Sequence, residues 1–231
     1  MRSSKIENRF YPDGSKFIWV VCNNIDGNLE EDSSKCAMDV AETPNLDRLC
    51  SQSETGMLRR SLFRESPSVD RESVSGLSIL EIDTTAAPLS MLEGVFRLND
   101  RQEVGGLPGV EDALTSVWNH YDLFLLRLSR MSAAERLGEE LSRIEWIEML
   151  DVWLPGLFAH CRPDVFAISS DVWVGDGRDE KLPAPALLHS ARSKALSTEG
   201  FCLHCCRQGR LGTGLTLGDW LHLLLAHATV R

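Results

Sequence analysis

The sequence predicts an α/β domain with parallel strands, on the evidence of three largely apolar runs. The runs are Lys16–Cys22, Tyr121–Leu128 and Pro163–Ser169. Such runs are typical of parallel strands, because these strands are buried on both faces. Helical patterns lie between them, and 231 residues suffice for one domain with a substantial core.

Composition and charge narrow the class of protein. The chain is 43% hydrophobic and 25% charged, and its net charge is −10. This charge argues against a nucleic-acid-binding surface, which needs clustered Lys and Arg, and against binding to anionic membranes. No apolar run reaches the roughly 18 residues of a membrane span, and we expect no secretory signal. Seven cysteines fit free thiols in a reducing compartment, either the cytosol or an organelle matrix such as that of mitochondria.

The first strand is followed by a turn and then by a short helix. The turn, Asn23–Gly27, lies at the carboxyl end of the strand, where open α/β sheets bind ligands. Thr43 is placed to cap the helix, and the fixed φ of Pro44 suits its first position. Leu46 and Leu49 then share one helical face.

Two more helices follow from the pattern of apolar residues. Val110–His120 is amphipathic. Ser132 and Glu135 form a capping box, which starts a helix running towards Pro155. The core face of this helix is predicted to contain Leu137, Leu141, Ile144 and Ile147.

Three motifs together resemble the alkaline-phosphatase superfamily, most closely the archaeal-type cofactor-independent phosphoglycerate mutases. They are TPNLDRL at 43–49, the Leu77–Leu80 segment with Asp83, and Gly209–Gly212 with the helix at Asp219–Ala228. The resemblance implies a three-layer α/β/α core at residues 16–231 with a mostly parallel central sheet. Residues 1–15 are then an N-terminal extension. Residues 99–109 are predicted to be a short loop where the family inserts a lid domain.

The resemblance also assigns the family's metal ligands and nucleophile to positions in this chain. Those positions are Asn23 or Asp26, Glu72 with Ser73 beside it, Ser132, Arg136, Asp171, Val172 and Asp179. Asn is a weaker ligand than a carboxylate for a hard cation, and an Arg at a ligand position repels a metal. A glutamate does not replace the serine nucleophile in forming a phosphoryl-enzyme.

The sequence therefore predicts a catalytically inactive relative with no metal and no cofactor. We expect it to act as a structural or accessory subunit bound to other protein subunits. One alternative is an active metal-dependent phosphomutase or phosphohydrolase with a site rebuilt around Asp26, Ser73, Asp171 and Asp179. Another is a regulatory module that binds a phosphometabolite without turnover.

A candidate partner interface lies on the helix that begins at Ser132. Trp146, Met149 and Trp153 are predicted to project away from its core stripe. Aromatic residues and Met are enriched at protein interfaces, so these three are predicted to bind another polypeptide. The alternative is that another element of the same domain covers them.

Two further clusters have simple structural explanations. Cys202, His204, Cys205 and Cys206, with Cys161 or His160, contain zinc-ligand types but lack a second well-spaced pair, so packing of buried thiols is favoured. The acidic segment with Asp171, Asp176, Asp179 and Glu180 lacks the ligand order of a calcium loop, so a solvated loop is favoured.

Overall fold

The computed structural model describes ten segments of the chain. They are residues 14–23, 25–26, 36–59, 61–62, 77–84, 98–130, 142–171, 173–174, 183–193 and 200–228. The strands are β1 Phe17–Cys22, β2 Glu54–Leu58, β3 Ser61–Leu62, β4 Ile79–Asp83, β5 Asp100–Glu103, β6 Leu123–Leu128, β7 Val165–Ser170, β8 Trp173–Val174, β9 Ala184–Ser190 and β10 Gly212–Leu215. The helices are α1 Pro44–Cys50, α2 Gly106–Val117, α3 Arg143–Cys161, α4 Leu203–Gln208 and α5 Leu217–Ala226, with a 3₁₀ turn at Ala37–Asp39.

Eight strands form one sheet in the order β10-β2-β9-β7-β1-β6-β4-β5. Strand β1 lies inside the sheet, parallel to β6 and β7 on its two sides. Strand β9 is antiparallel to both of its neighbours, β2 and β7. The other pairs in this sheet are parallel. The predicted α/β class with a mostly parallel sheet is confirmed.

The sheet separates two apolar cores. All six residues of β1 are buried, and they alternate between the two cores: Ile18 packs with α1, α2 and α3, whereas Trp19 packs with α5. This alternation follows from the two-residue period of a strand. The architecture is therefore helix, sheet, helix. No helix within the described segments is both long enough and apolar enough to cross a bilayer.

Several predicted elements need correction. Residues 99–109 are not a loop, because they contain β5 and the first turn of α2. Helix α3 passes through Pro155 and continues to Cys161, with Pro155 exposed on its surface. The capping box that starts α3 is formed by Ser142 and Glu145. The capping box predicted at Ser132 and Glu135 lies outside the described residues.

The start of α1 is held by a buried carboxylate rather than by the predicted cap. Thr43 precedes the helix, but its hydroxyl donates to the Asp47 carboxylate at 3.2 Å and caps no backbone N–H. Asp151 of α3 instead accepts the N–H of Leu46 at 2.6 Å and the side-chain amide of Asn45 at 3.0 Å. A negative charge at a helix N-terminus is favourable, because the first N–H groups have no partner within the helix.

Candidate functional site

The candidate site lies at the carboxyl edge of three adjacent strands, β6, β1 and β7. The backbone N–H of Asn23 donates to the carbonyl of Leu128 at 2.9 Å, so Asn23 continues the pairing of β1 with β6. Asp26 accepts a hydrogen bond from the hydroxyl of Ser170, the last residue of β7. Asp171 follows directly. The structure thus brings Asn23, Asp26 and Asp171 to one edge of the sheet.

The remaining predicted site positions cannot be placed in the same way. They lie outside the described residues and are Glu72, Ser73, Ser132, Arg136, Val172 and Asp179. Their assignment to the family's nucleophile and ligand positions therefore stays a prediction from the sequence. In the described part, Asn23 is exposed, and Asp26 and Asp171 are half-buried.

The described residues at this edge do not fit a metal centre. Within the described ranges, no three His, Cys, Asp or Glu side chains are grouped so that they could hold a metal ion. One carboxylate oxygen of Asp26 already accepts from Ser170, and Asn23 offers only a neutral amide. A two-metal site needs several anionic oxygens or imidazoles converging on each ion. This part of the edge does not supply them.

A network of buried charges, which the sequence analysis did not identify, crosses β4, β5 and β6. Arg101 of β5 lies 2.7 Å from the Asp83 carboxylate, and Arg127 of β6 lies 3.2 Å from the same oxygen. Both guanidinium groups also approach Glu81, at 3.7 and 3.5 Å. Glu81 and Asp83 are fully buried. The sequence signal was available, because Arg127 interrupts an apolar strand and a buried charge needs a partner.

This network explains how a wholly polar strand joins the edge of the sheet. None of the four side chains of strand β5, Asp100–Glu103, is buried. Its Arg101, however, contacts two buried carboxylates of the neighbouring strand β4. Arg101 also lies 3.6 Å from the exposed carboxylate of Glu103 in its own strand. These residues form a structural ion-pair network, in which arginines of the neighbouring strands hold each carboxylate of β4.

The prediction that Trp146 faces a partner is wrong. Its side chain is 2% exposed and packs in the core together with Leu150 and Leu154. Met149 and Trp153 are partly buried against the same core. Of the predicted core stripe, Ile147 is buried and Ile144 packs against the same core, whereas Leu137 and Leu141 lie outside the described residues. The buried face of α3 is therefore wider than the predicted stripe and includes Trp146 beside Ile147.

The cysteine cluster does not form a zinc site among the described residues. Cys202 and Cys205 approach each other, with 3.0 Å between their sulfurs, while Cys206 points its sulfur at the carbonyl of Ala186. The ring of His160 is hydrogen-bonded to the carbonyl of Gly156 in its own helix. The acidic segment at 172–180 is outside the described ranges apart from the backbone of β8.

The fold matches solved structures along nearly the whole chain. PH0037 from Pyrococcus horikoshii superposes with a TM-score of 0.66, covering 94% of this chain and 98% of that one, at 12% identity. A cofactor-independent phosphoglycerate mutase from Thermoplasma acidophilum gives 0.61, with 92% and 100% covered, at 10% identity. At these identities the likeness establishes the fold alone. The shared fold is an α/β fold with a mostly parallel central sheet.

Sequence comparison points to one group within that fold. A probable 2,3-bisphosphoglycerate-independent phosphoglycerate mutase from Aquifex aeolicus is 31% identical over 122 residues, which are 51% of this chain and 29% of the relative. One from Thermosipho africanus is 26% identical over 144 residues, 60% of this chain and 35% of the relative. The match thus spans about a third of each relative. No protein-family model matches the chain. The predicted resemblance to these mutases is confirmed.

Proposed function

We propose that this protein is a catalytically inactive phosphoglycerate-mutase-like protein that serves as a structural or accessory subunit of a larger protein assembly. The proposal of catalytic inactivity rests on the residues at the carboxyl edge of β6, β1 and β7. Its described residues offer an amide at Asn23 and two half-buried carboxylates, of which Asp26 is already bonded to Ser170. Phosphoryl transfer in this fold depends on metal ions that neutralise developing charge, and the described residues of this edge do not group into a ligand set for them.

The catalytic half is tested by metal content and turnover together. The purified protein should hold no stoichiometric divalent metal, and should neither interconvert phosphoglycerates nor release phosphate from aryl phosphates with added Mn²⁺ or Zn²⁺. The alternative of a rebuilt active site draws on Asp26 and Asp171, which lie at the same edge. Metal-dependent turnover that disappears in Asp171→Ala would establish that alternative and overturn the proposal. Turnover that survives in Asp171→Ala would indicate a contaminating phosphatase, which further purification should remove.

The subunit half is supported by the exposed apolar residues. Within the described segments, the two large apolar side chains that are strongly exposed are Val40 at 45% and Val152 at 76%. Val40 ends the 3₁₀ turn and Val152 lies on α3, and these two elements pack together. Val152 is the more exposed of the two, and apolar side chains are enriched in the buried core of interfaces, so we assign Val152 to the contact with another polypeptide.

A charge placed at Val152 should separate the protein from its assembly without unfolding it. The expected result is that the wild-type protein, isolated from its own cells under native conditions, has a mass above that of one chain and carries a stoichiometric second polypeptide. Val152→Asp should reduce it to one chain. Ser116→Asp is the matched control, because Ser116 is an exposed position on the neighbouring helix α2. A wild-type protein that migrates as a single chain would contradict the subunit role.

A further inference from the structure

Two cysteines at the start of α4 lie close enough to react with each other. Cys202 is the residue before the helix and Cys205 lies in its first turn, with 3.0 Å between the two sulfurs. A disulfide bond needs about 2.0 Å, so the sulfurs have to approach by only about 1 Å. The backbone around them is fixed, because Thr55 of β2 donates to the carbonyl of Cys205 and Asp39 accepts the N–H of Leu203.

The two sulfurs differ in access to solvent. Cys202 is partly exposed, whereas Cys205, Cys206 and the nearby Cys50 are buried. Burial raises the pKa of the Cys50 thiol to about 12 and raises that of Cys206 well above its ordinary value, so both remain protonated. Among these four, Cys202 is therefore the one that an external reagent meets first.

The backbone on both sides of Cys202 is held by hydrogen bonds. The carboxylates of Asp39 and Asp47 accept the N–H groups of Leu203 and Phe201, the two neighbours of Cys202 in the chain. The Cys202 sulfur itself accepts the backbone N–H of Cys205 at 3.3 Å. Cys202 is thus a partly exposed thiol with a second thiol already in place beside it.

We propose that Cys202 and Cys205 are a thiol–disulfide exchange site that reacts with low-molecular-mass disulfides of the glutathione class. The thiolate of Cys202 attacks one sulfur of the external disulfide, forming a mixed disulfide and releasing one thiolate, which takes up a proton. Cys205 then loses its proton and attacks the Cys202 sulfur, which releases the second thiol. The protein dithiol loses two electrons and two protons, and the external disulfide is reduced to two thiols.

The test follows the three cysteines on one tryptic peptide. Cleavage after Lys194 and Arg207 gives residues 195–207, which contain Cys202, Cys205 and Cys206. The folded protein is incubated with glutathione disulfide, then unfolded, alkylated, digested and analysed by mass spectrometry. We expect most of the peptide to lose the mass of two hydrogens and to carry a single alkyl group, on Cys206. Dithiothreitol added before alkylation should restore three alkyl groups.

Two variants separate the roles of the cysteines. Cys205→Ser removes the resolving thiol, so Cys202 should accumulate as a stable mixed disulfide with one glutathione. Cys202→Ser leaves only buried thiols here and should take up less than a tenth as much glutathione at this peptide. Far-ultraviolet circular dichroism confirms that both remain folded. Three alkyl groups on the treated wild-type peptide, or equal glutathione uptake by the two variants, would overturn the proposal.

Discussion

Replacing Asp151 by alanine tests whether a buried carboxylate of α3 holds the start of α1. Asp151 is 2% exposed, and its carboxylate accepts two hydrogen bonds, from the backbone N–H of Leu46 and from the side-chain amide of Asn45. Leu46 is itself 1% exposed, so water does not replace the lost acceptor without rearrangement. The substitution therefore leaves a buried N–H unpaired and frees the first turn of α1.

The expected loss of stability follows from these two hydrogen bonds. A hydrogen bond to a charged group contributes about 1.5–3 kcal/mol, and an unpaired buried donor costs about 1–3 kcal/mol. Release of the buried charge offsets part of this loss. We expect Asp151→Ala to lower the free energy of unfolding by about 3 kcal/mol, which for a domain of this size lowers the melting temperature by roughly 6–12 °C. Asp151→Asn retains one acceptor but turns its amide towards that of Asn45, so a loss of about 1–2 kcal/mol is expected.

The assay is urea unfolding followed by tryptophan fluorescence, with Glu148→Ala as the matched control. Glu148 lies one turn earlier on α3 and also accepts a backbone N–H, that of Glu42, but this hydrogen bond is exposed to solvent. Its removal should cost less than about 1 kcal/mol, because water replaces the acceptor. If Asp151→Ala costs no more stability than Glu148→Ala, the Asp151 carboxylate does not hold the start of α1.

Three further predictions concern packing, pH and the buried charges. Gly209→Ala should destabilise the domain by about 1–3 kcal/mol, because a Cβ there would lie 2.1 Å from the carbonyl oxygen of Thr55. Urea unfolding measures this loss, and an unchanged stability would contradict the close approach of the two segments. Burial lowers the pKa of His227 below 6.5, so the unfolded chain takes up the proton more readily and stability should fall as pH drops below that value. His227→Gln should reduce this acid sensitivity in melts between pH 7 and 5, whereas an unchanged slope would assign it to other groups. Arg127→Met, which breaks a buried pair with Asp83, should cost about 3–5 kcal/mol by chemical denaturation, and a neutral result would show that Arg101 suffices.

Continuous apolar runs and one short motif were sufficient to predict much of the fold. The three predicted strands correspond to β1, β6 and β7, and Pro44–Cys50 is the helix that Thr43 and Pro44 indicated. These elements were predictable because their signals are local: a run buried on both faces, or a proline at a first helical position. The three strands are also adjacent in the sheet, so their carboxyl ends form the candidate site.

Strands with weak local signals were missed. Strand β9 contains Pro185, which argues against a strand inside a sheet, and β5 consists of four polar residues. Both exist because of their neighbours: β9 pairs with β2 and β7, and β5 pairs with β4 while Arg101 reaches the buried acids. Tertiary pairing overrode the intrinsic preferences of these segments.

Local sequence patterns were enough to establish the α/β class and the position of Asn23 and Asp26 at the carboxyl end of a central strand, and composition gave the net charge of −10. Contacts between elements distant in sequence depend instead on how those elements pack. Packing buried Trp146 in the core and placed Asp151 at the start of α1. The physical reason is that periodicity fixes the face of a helix only relative to its own axis. The rotation of α3 against the sheet, and hence the partner of each side chain, is set by packing against elements distant in sequence.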